Sequence, residues 1–149
     1  MRSIERCEWR LAVPTPTVSD GTPMPKTVVP RGCVLVIDDE PTVRTVARMM
    51  LERSGFAVEE AADGEAGLAA LASAARPFLA VVLDVSLPDR SGLELIPQIR
   101  ALASETPVVL SSGRPEEDVP GHGADTFLAK PFNRERLVTA LREATAARA

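Results

Sequence analysis

Residues 33–55 read CVLVIDDEPTVRTVARMMLERSG, and they hold one complete strand-to-helix unit. The opening CVLVI is apolar at every position, which suits a strand buried on both faces of a parallel sheet. Asp38, Asp39 and Glu40 end that run. Pro41 comes next, and proline is favoured in a first helical turn because the N–H it lacks would have no partner there. Behind it Val43, Val46, Ala47, Met50 and Leu51 recur at i, i+3, i+4, i+7 and i+8, which predicts an amphipathic helix with its apolar stripe on the sheet. Gly55 supplies the stop.

Downstream the same unit repeats. AVEEA, FLAVVLD, PVVLSS and DTFLA read as further strands, separated by segments of helical period. Asp63 can cap a second helix carrying Leu68, Leu71 and Ala75, and Ser91 with Glu94 makes the S-x-x-E capping box of a third. A last helix starts near Asn133 and buries Leu137, Val138 and Leu141. Strands alternating with helices at this spacing imply βαβ crossovers and an α/β, doubly wound, five-stranded parallel sheet of flavodoxin-like order 2-1-3-4-5. Between the fourth and fifth strands, RPEEDVPGHGAD contains two Pro and two Gly. A glycine costs about 1 kcal/mol in a helix interior and a proline about 3 kcal/mol, so a shortened or missing fourth helix is expected. Pro97 falls inside the third helix and predicts a kink or a late start.

Upstream the composition changes. Pro14, Pro16, Pro23, Pro25 and Pro30 interrupt a Thr-, Ser- and Val-rich stretch without sustained period, so residues 1–31 read as a flexible arm and residues 32–149 as the domain. Ile4, Cys7 and Leu11 could share one helical face with Trp9 nearby, and Met24 offers a second start inside the arm. With 45% hydrophobic and 26% charged residues, the chain of 149 residues has the balance of one soluble globular domain. The net charge of −4, with acidic residues scattered, lacks the basic stripe that nucleic-acid binding requires. No run approaches the ~18 apolar residues of a spanning helix, and no signal-peptide core is present, so the expected location is the cytoplasm, away from the membrane. Cys7 and Cys33 are too few for a disulfide framework or a four-ligand metal site.

In a sheet of this kind ligands bind at the carboxyl ends of the strands. Asp38, Asp39 and Asp84 would meet there. Two like charges about 4 Å apart repel by about 4 kcal/mol at an effective dielectric of about 20, so three carboxylates need a cation or a shared proton. Mg²⁺ suits such a cluster, being a hard ion held by one or two carboxylates, water and phosphate oxygens. A phosphoryl group brought to it would need a nucleophile, a counter-charge and a hydroxyl. Asp84, Lys130 and Ser112 supply these, with Ser111 a rival for the hydroxyl. The chain has fifteen Arg and only two Lys, Lys26 and Lys130, so a lysine in the domain suggests a need for a compact charge.

VLVIDDE, LDVSLPDRSGLEL, PVVLSSG and FLAKPF, in this order, resemble the signature blocks of response-regulator receiver domains over residues 33 to 147. The resemblance implies that Asp38 and Asp39 are an acidic pair at a Mg²⁺ site completed by Asp84 and the main-chain carbonyl of Ser86. It implies that Asp84 takes phosphate from a sensor histidine kinase or a histidine phosphotransfer protein, and that a downstream protein reads the change. Ser112 would be the switch hydroxyl before Gly113 and Lys130 the family lysine, with Pro131 after a cis bond. Phe127 would stand at the aromatic switch position or serve as plain core. Ser86 and Arg114 would flank the phosphoryl group, Arg114 with a solvated loop charge as the alternative reading. The SGRP loop resembles receivers fused to hybrid histidine kinases, and the usual dimer face on the fourth helix is then in doubt. His122, between glycines, reads as a solvated loop residue. Such a protein is a phosphoacceptor rather than an enzyme, and with nothing after the last helix its output is expected through a partner. The rivals are an aspartate-nucleophile phosphatase, which would want a second Asp where Ser86 stands, and a pseudo-receiver that binds partners without phosphorylation.

Overall fold

The computed structural model describes residues 32–148. The expectations for residues 1–31, a flexible arm in which Ile4, Cys7 and Leu11 could share one helical face, lie outside the described residues. Five strands form one sheet: β1 (Cys33–Ile37), β2 (Ala57–Ala61), β3 (Ala80–Asp84), β4 (Val108–Ser112) and β5 (Thr126–Ala129). All pairs are parallel and the order is β2-β1-β3-β4-β5. The helices are α1 (Pro41–Arg53), α2 (Gly64–Ser73), α3 (Gly92–Leu102) and α4 (Arg134–Ala147). This is the doubly wound architecture that the alternation of runs predicts.

The period of two along each strand divides the core. Cys33, Leu35 and Ile37 join Leu71, Leu95 and Ile99 on the α2 and α3 side. Val34 and Val36 join Ala47, Leu51, Leu137 and Leu141 on the α1 and α4 side. Because β1, β3 and β4 are buried at every position, their sequences carry no polar alternation. The edge strands β2 and β5 are only partly buried, and Glu59, Glu60 and Thr126 fall there.

Helix ends follow the side chains available. Asp63 caps α2 by accepting from the Ala66 N–H at 2.8 Å, and Asn133 caps α4 through Arg136 N–H at 2.8 Å. Gly55, with φ of 94°, takes the left-handed conformation just past α1. Ser91 caps α3 by accepting from Leu93 N–H at 3.1 Å. α3 runs unbroken from Gly92 through Pro97, so the late start does not occur. Pro97 lies on the exposed side of α3, where its ring meets water rather than the sheet.

Further expectations are corrected. α2 ends at Ser73, so Ala75 lies exposed beyond the helix rather than on it. Val46 is 40% exposed, because α1 buries a narrow stripe of Ala47 and Leu51, flanked by half-buried Val43 and Met50. Val138 is half-buried, since Ala140 and Ala144 share the buried face of α4 with Leu137 and Leu141. His122 is not solvated: its side chain is 13% exposed, its Nδ1 accepts from Ala124 N–H at 3.1 Å, and its Nε2 lies 3.1 Å from Glu116 Oε2. With Nδ1 accepting, Nε2 carries the proton and donates. The ring also stands 6.1 Å from that of Phe127. The β4–β5 connection has a single 3-10 turn, Glu116–Asp118, in place of a fourth helix, as its Pro and Gly content predicts.

At the foot of the sheet Asp125 ties four segments together. Its Oδ2 accepts from Arg100 Nη2 at 3.1 Å and from Val108 N–H at 2.8 Å, and its Oδ1 accepts from Arg148 Nε at 3.1 Å. Arg100 and Arg148 also donate to the carbonyls of Thr106, Gly123 and Ser104.

Candidate functional site

The opposite rim gathers the acidic residues that sequence reading singled out. Asp38 directly follows β1, Asp84 is the last residue of β3, and β1 and β3 are neighbours, so the two carboxylates are brought side by side by the order of strands. Asp38 is 3% exposed and Asp84 5%, while Asp39 is exposed. Ligand oxygens of all three lie within 4.8 Å of one another. Backbone contacts hold this geometry. Asp38 Oδ1 accepts from Glu40 N–H at 2.9 Å, and Arg44 Nη1 donates to the Asp38 carbonyl at 2.6 Å.

Lys130 reaches the cluster from the end of β5. Its Nζ lies 2.8 Å from Asp38 Oδ2, 3.2 Å from Asp84 Oδ1 and 4.0 Å from Glu40 Oε1. Its own N–H donates to the Ser112 carbonyl at 2.8 Å, and the following bond to Pro131 is cis. Burial works against the ammonium, but the hydrogen bond from Lys130 to Asp38 and the charges of Asp84 and Asp38 outweigh it and hold its pKa above the usual value. Asp84 shifts in the opposite sense to a paired carboxylate. Burial, then the charge of Asp38, push its pKa up to about 6, against the pull of Lys130. Four carboxylates, Asp38, Asp39, Glu40 and Asp84, against one ammonium leave this rim short of positive charge.

Ser86 lies two residues beyond Asp84 and bridges to Ser91, and its backbone is the smallest of the influences that pull the Asp84 pKa down against burial. Gly92 lies so close that a Cβ there would overlap the Asp84 carbonyl oxygen, and its N–H donates to the Val85 carbonyl at 2.7 Å. Ser112 is 3% exposed, and its Oγ accepts from Arg114 N–H at 2.9 Å rather than meeting Asp84. The Arg114 side chain is 67% exposed, with Nε 3.7 Å from Asp118. Phe127 is half-buried and packs on the α2 and α3 side of the core.

Sequence reading missed Asp89. Its two carboxylate oxygens accept from Gly64 and Glu65 N–H, each at 3.0 Å, so the loop that follows Asp84 is fastened to the start of α2. Those contacts, with an anion at a helix N-terminus, hold its pKa below the ordinary value, the Gly64 N–H contributing most. The partners are 25 and 24 residues away in sequence, so no local pattern announces the pairing. Arg44 was missed too, since its position in α1 reads as an ordinary surface charge.

Beside the acidic rim lies an open cavity of about 410 Å³, lined by Thr42, Val43, Val46, Gly113, Pro131 and Phe132, with Glu40 and Lys130 at its edge. The outward-facing Val46 belongs to it.

Comparison with known proteins agrees with this architecture. The chain is 41% identical over 103 residues to the transcriptional regulatory protein QseB of Haemophilus influenzae, a match that takes in 66% of this chain and 46% of that protein. It thus spans about half the length of that relative. Among solved structures, the response regulator TrrA of Thermotoga maritima, in complex with Mg²⁺ and BeF, superposes with a TM-score of 0.69 at 27% identity, over 76% of this chain and 98% of that one. A response regulator of Burkholderia pseudomallei with a phosphorylated aspartic acid, calcium ion and citrate gives 0.66 at 31% identity, over 74% and 66%. The family model described as the response regulator receiver domain matches residues 34–142, a span that runs from β1 into α4 and encloses every residue of the acidic rim. The chain belongs to the response regulator receiver domain family.

Proposed function

We propose that Asp84 accepts a phosphoryl group from a phosphohistidine on a partner protein, a sensor histidine kinase or a histidine phosphotransfer protein, and that the change is passed to a downstream protein. The observation that carries this reading is the pairing of a buried carboxylate, Asp84, with a second buried carboxylate and a single ammonium at one open rim. The B. pseudomallei relative, with its phosphorylated aspartic acid, supports it. An Asp84 carboxyl oxygen attacks phosphorus, the bond from phosphorus to the histidine nitrogen breaks, and the electron pair leaves with the imidazole. Lys130 stays within reach of the phosphoryl oxygens and offsets their charge. Ser112, whose Oγ accepts from Arg114 N–H and keeps its own hydrogen free, donates to them.

The oxygens of Asp38, Asp39 and Asp84 fit a hard divalent ion, being all carboxylate donors within 4.8 Å. With the Ser86 carbonyl they would hold Mg²⁺, which neutralises charge on the incoming phosphoryl group when bound. The apolar cavity beside Lys130 offers a surface on which the helix bearing the donor histidine can rest. Residues 32–149 form the receiver unit in this reading and residues 1–31 an arm before it. Its location is the cytoplasm, in keeping with the described residues, where no helix is long and apolar enough to cross a membrane.

Incubation with acetyl phosphate and Mg²⁺, followed by intact mass, tests the reading. One phosphoryl group is expected on the parent and none on Asp84→Asn. Equal labelling of the variant, or labelling undiminished by a chelator, overturns it.

A further inference from the structure

Ser111 and Ser112 end the same strand, and only one of them stands on the face of Asp84. Neighbours in register in a parallel pair point to the same side of the sheet. Ser111 is the register partner of Asp84 on one side and of Leu128 on the other. Two residues earlier, Val82 and Val109 both enter the core cluster of α1 and α4, which fixes the face on which Asp84 and Ser111 project. Ser111 is 2% exposed, and its Oγ is the single buried side-chain polar atom without a hydrogen-bond partner among the described residues. Leu128 offers it nothing polar, so Asp84 is the one strand neighbour with an acceptor. A hydroxyl kept unpartnered in a core is destabilising, and an alanine in its place would carry no such penalty.

We propose that the Ser111 hydroxyl sets the lifetime of the phosphorylated chain by donating to the Asp84 carboxyl as its phosphoryl group is lost. The inference rests on the reading of Asp84 as phosphoacceptor. In the hydrolysis, a water oxygen attacks phosphorus, the bond between phosphorus and the Asp84 carboxyl oxygen breaks, and its electron pair stays on Asp84 as carboxylate. The water's protons leave with the inorganic phosphate. Negative charge therefore grows on a carboxyl group that is already buried beside Asp38. Rotation about χ1 turns the serine hydroxyl toward it, and a donor aimed where charge develops lowers the barrier. Ser112, which faces the opposite side of β4, cannot serve the carboxyl in this way and remains available to the phosphoryl oxygens.

The test follows phosphate loss from the full chain, labelled with acetyl phosphate and Mg²⁺, in the parent, Ser111→Ala and Ser111→Thr. The Ala variant is expected to lose phosphate roughly threefold to tenfold more slowly, and Thr, which keeps the hydroxyl, to decay at the parent's rate. The unfolding midpoint of the unlabelled Ala variant should hold or rise. A merely structural hydroxyl would lower that midpoint when removed and leave the decay alone. Decay of Ser111→Ala at the parent's rate overturns the inference and leaves Asp84 as acceptor, as does decay of the Thr variant as slow as that of Ala. A parent chain that takes no phosphate overturns both readings together.

Discussion

The two ends of the sheet each collect carboxylates and basic side chains, and they balance charge in opposite ways. At the foot, one carboxylate, Asp125, meets two guanidinium groups and a backbone N–H, and both of its oxygens are engaged. At the rim, Asp38, Asp84 and, at longer range, Glu40 share one ammonium, and Asp39 has no basic partner among the described residues. The foot joins α3, β4, β5 and α4 and has nothing left to bind. The rim is held in a repulsive arrangement by its backbone, with Asp39 still open to water. Where charge is closed within the fold, the cluster stabilises. Where it is left unbalanced, the cluster is suited to a counter-charge from outside.

Asp125→Ala is the harshest way to probe this contrast. It removes the acceptor of three hydrogen bonds and leaves Arg100 and Arg148 without their shared counter-charge. A loss of about 3 kcal/mol is expected in urea unfolding. A loss below about 1 kcal/mol would mean that water serves the two arginines equally well, and the foot would not be a structural clasp.

At the rim the sign reverses. Asp84 has a folded-state pKa of about 6 against an ordinary 3.8, so the native chain binds this proton more tightly than the unfolded chain does. The associated stability is fully present below the unfolded value and is lost as pH rises toward and through about 6. Asn carries no charge at any pH. In the metal-free chain, Asp84→Asn should therefore gain stability over the parent progressively between about pH 4 and pH 6 and hold the advantage above, on the order of 1–2 kcal/mol. Unfolding midpoints of the two proteins across this range decide it, and parallel curves would refute the crowding of Asp84.

Asp39 separates ligand from strain, because it is exposed and makes little of the buried repulsion. Asp39→Ala is expected to weaken Mg²⁺ binding at least about tenfold, a change of about 1.4 kcal/mol, while stability of the metal-free chain stays within about 0.5 kcal/mol. Calorimetric titration reads the first and urea unfolding the second. Unchanged affinity would remove Asp39 from the metal site.

The rim was legible in sequence and the foot was not. Asp38 and Asp84 follow nearly unbroken apolar runs, so the rule that strands end at a common edge brings them together without knowledge of any contact. Asp125 also borders a strand, but on its amino side, where the same rule assigns no ligand. Its partners Arg100 and Arg148 each lie 25 or 23 residues away on helix ends that pattern reading places only approximately. Asp89 and His122 escaped for a related reason. Each sits among turn residues whose sequence announces a loop; Asp89 is engaged by the distant start of α2, and His122 by Glu116 and Ala124 of its own loop, in contacts that follow no helical or strand period. Val46 shows the limit of periodicity, since a helical stripe names the apolar positions and the neighbouring elements decide how wide a face they cover.

The smallest effect is expected where an ion pair belongs to neither end. Arg114 divides its duties between backbone and side chain: its N–H donates to Ser112 Oγ, whereas its guanidinium stands in solvent 3.7 Å from Asp118. Substitution by alanine keeps the first contact and deletes the second. An exposed pair of this kind contributes about 0–1 kcal/mol, so Arg114→Ala should change stability by less than about 0.5 kcal/mol. With the guanidinium turned toward Asp118, the half-life of the phosphorylated chain should change by less than about twofold. Arg114→Pro makes the complementary cut, removing the N–H and freeing the Ser112 hydroxyl, and its phosphorylated form is the informative control for any effect that passes through the backbone. Should the alanine variant instead lose phosphate several-fold faster, the guanidinium must leave Asp118 for the phosphoryl oxygens. The unbalanced rim would then recruit its second cation from the β4–β5 loop only after the anion arrives, and the charge that the resting fold withholds from Asp84 would be supplied by the reaction itself.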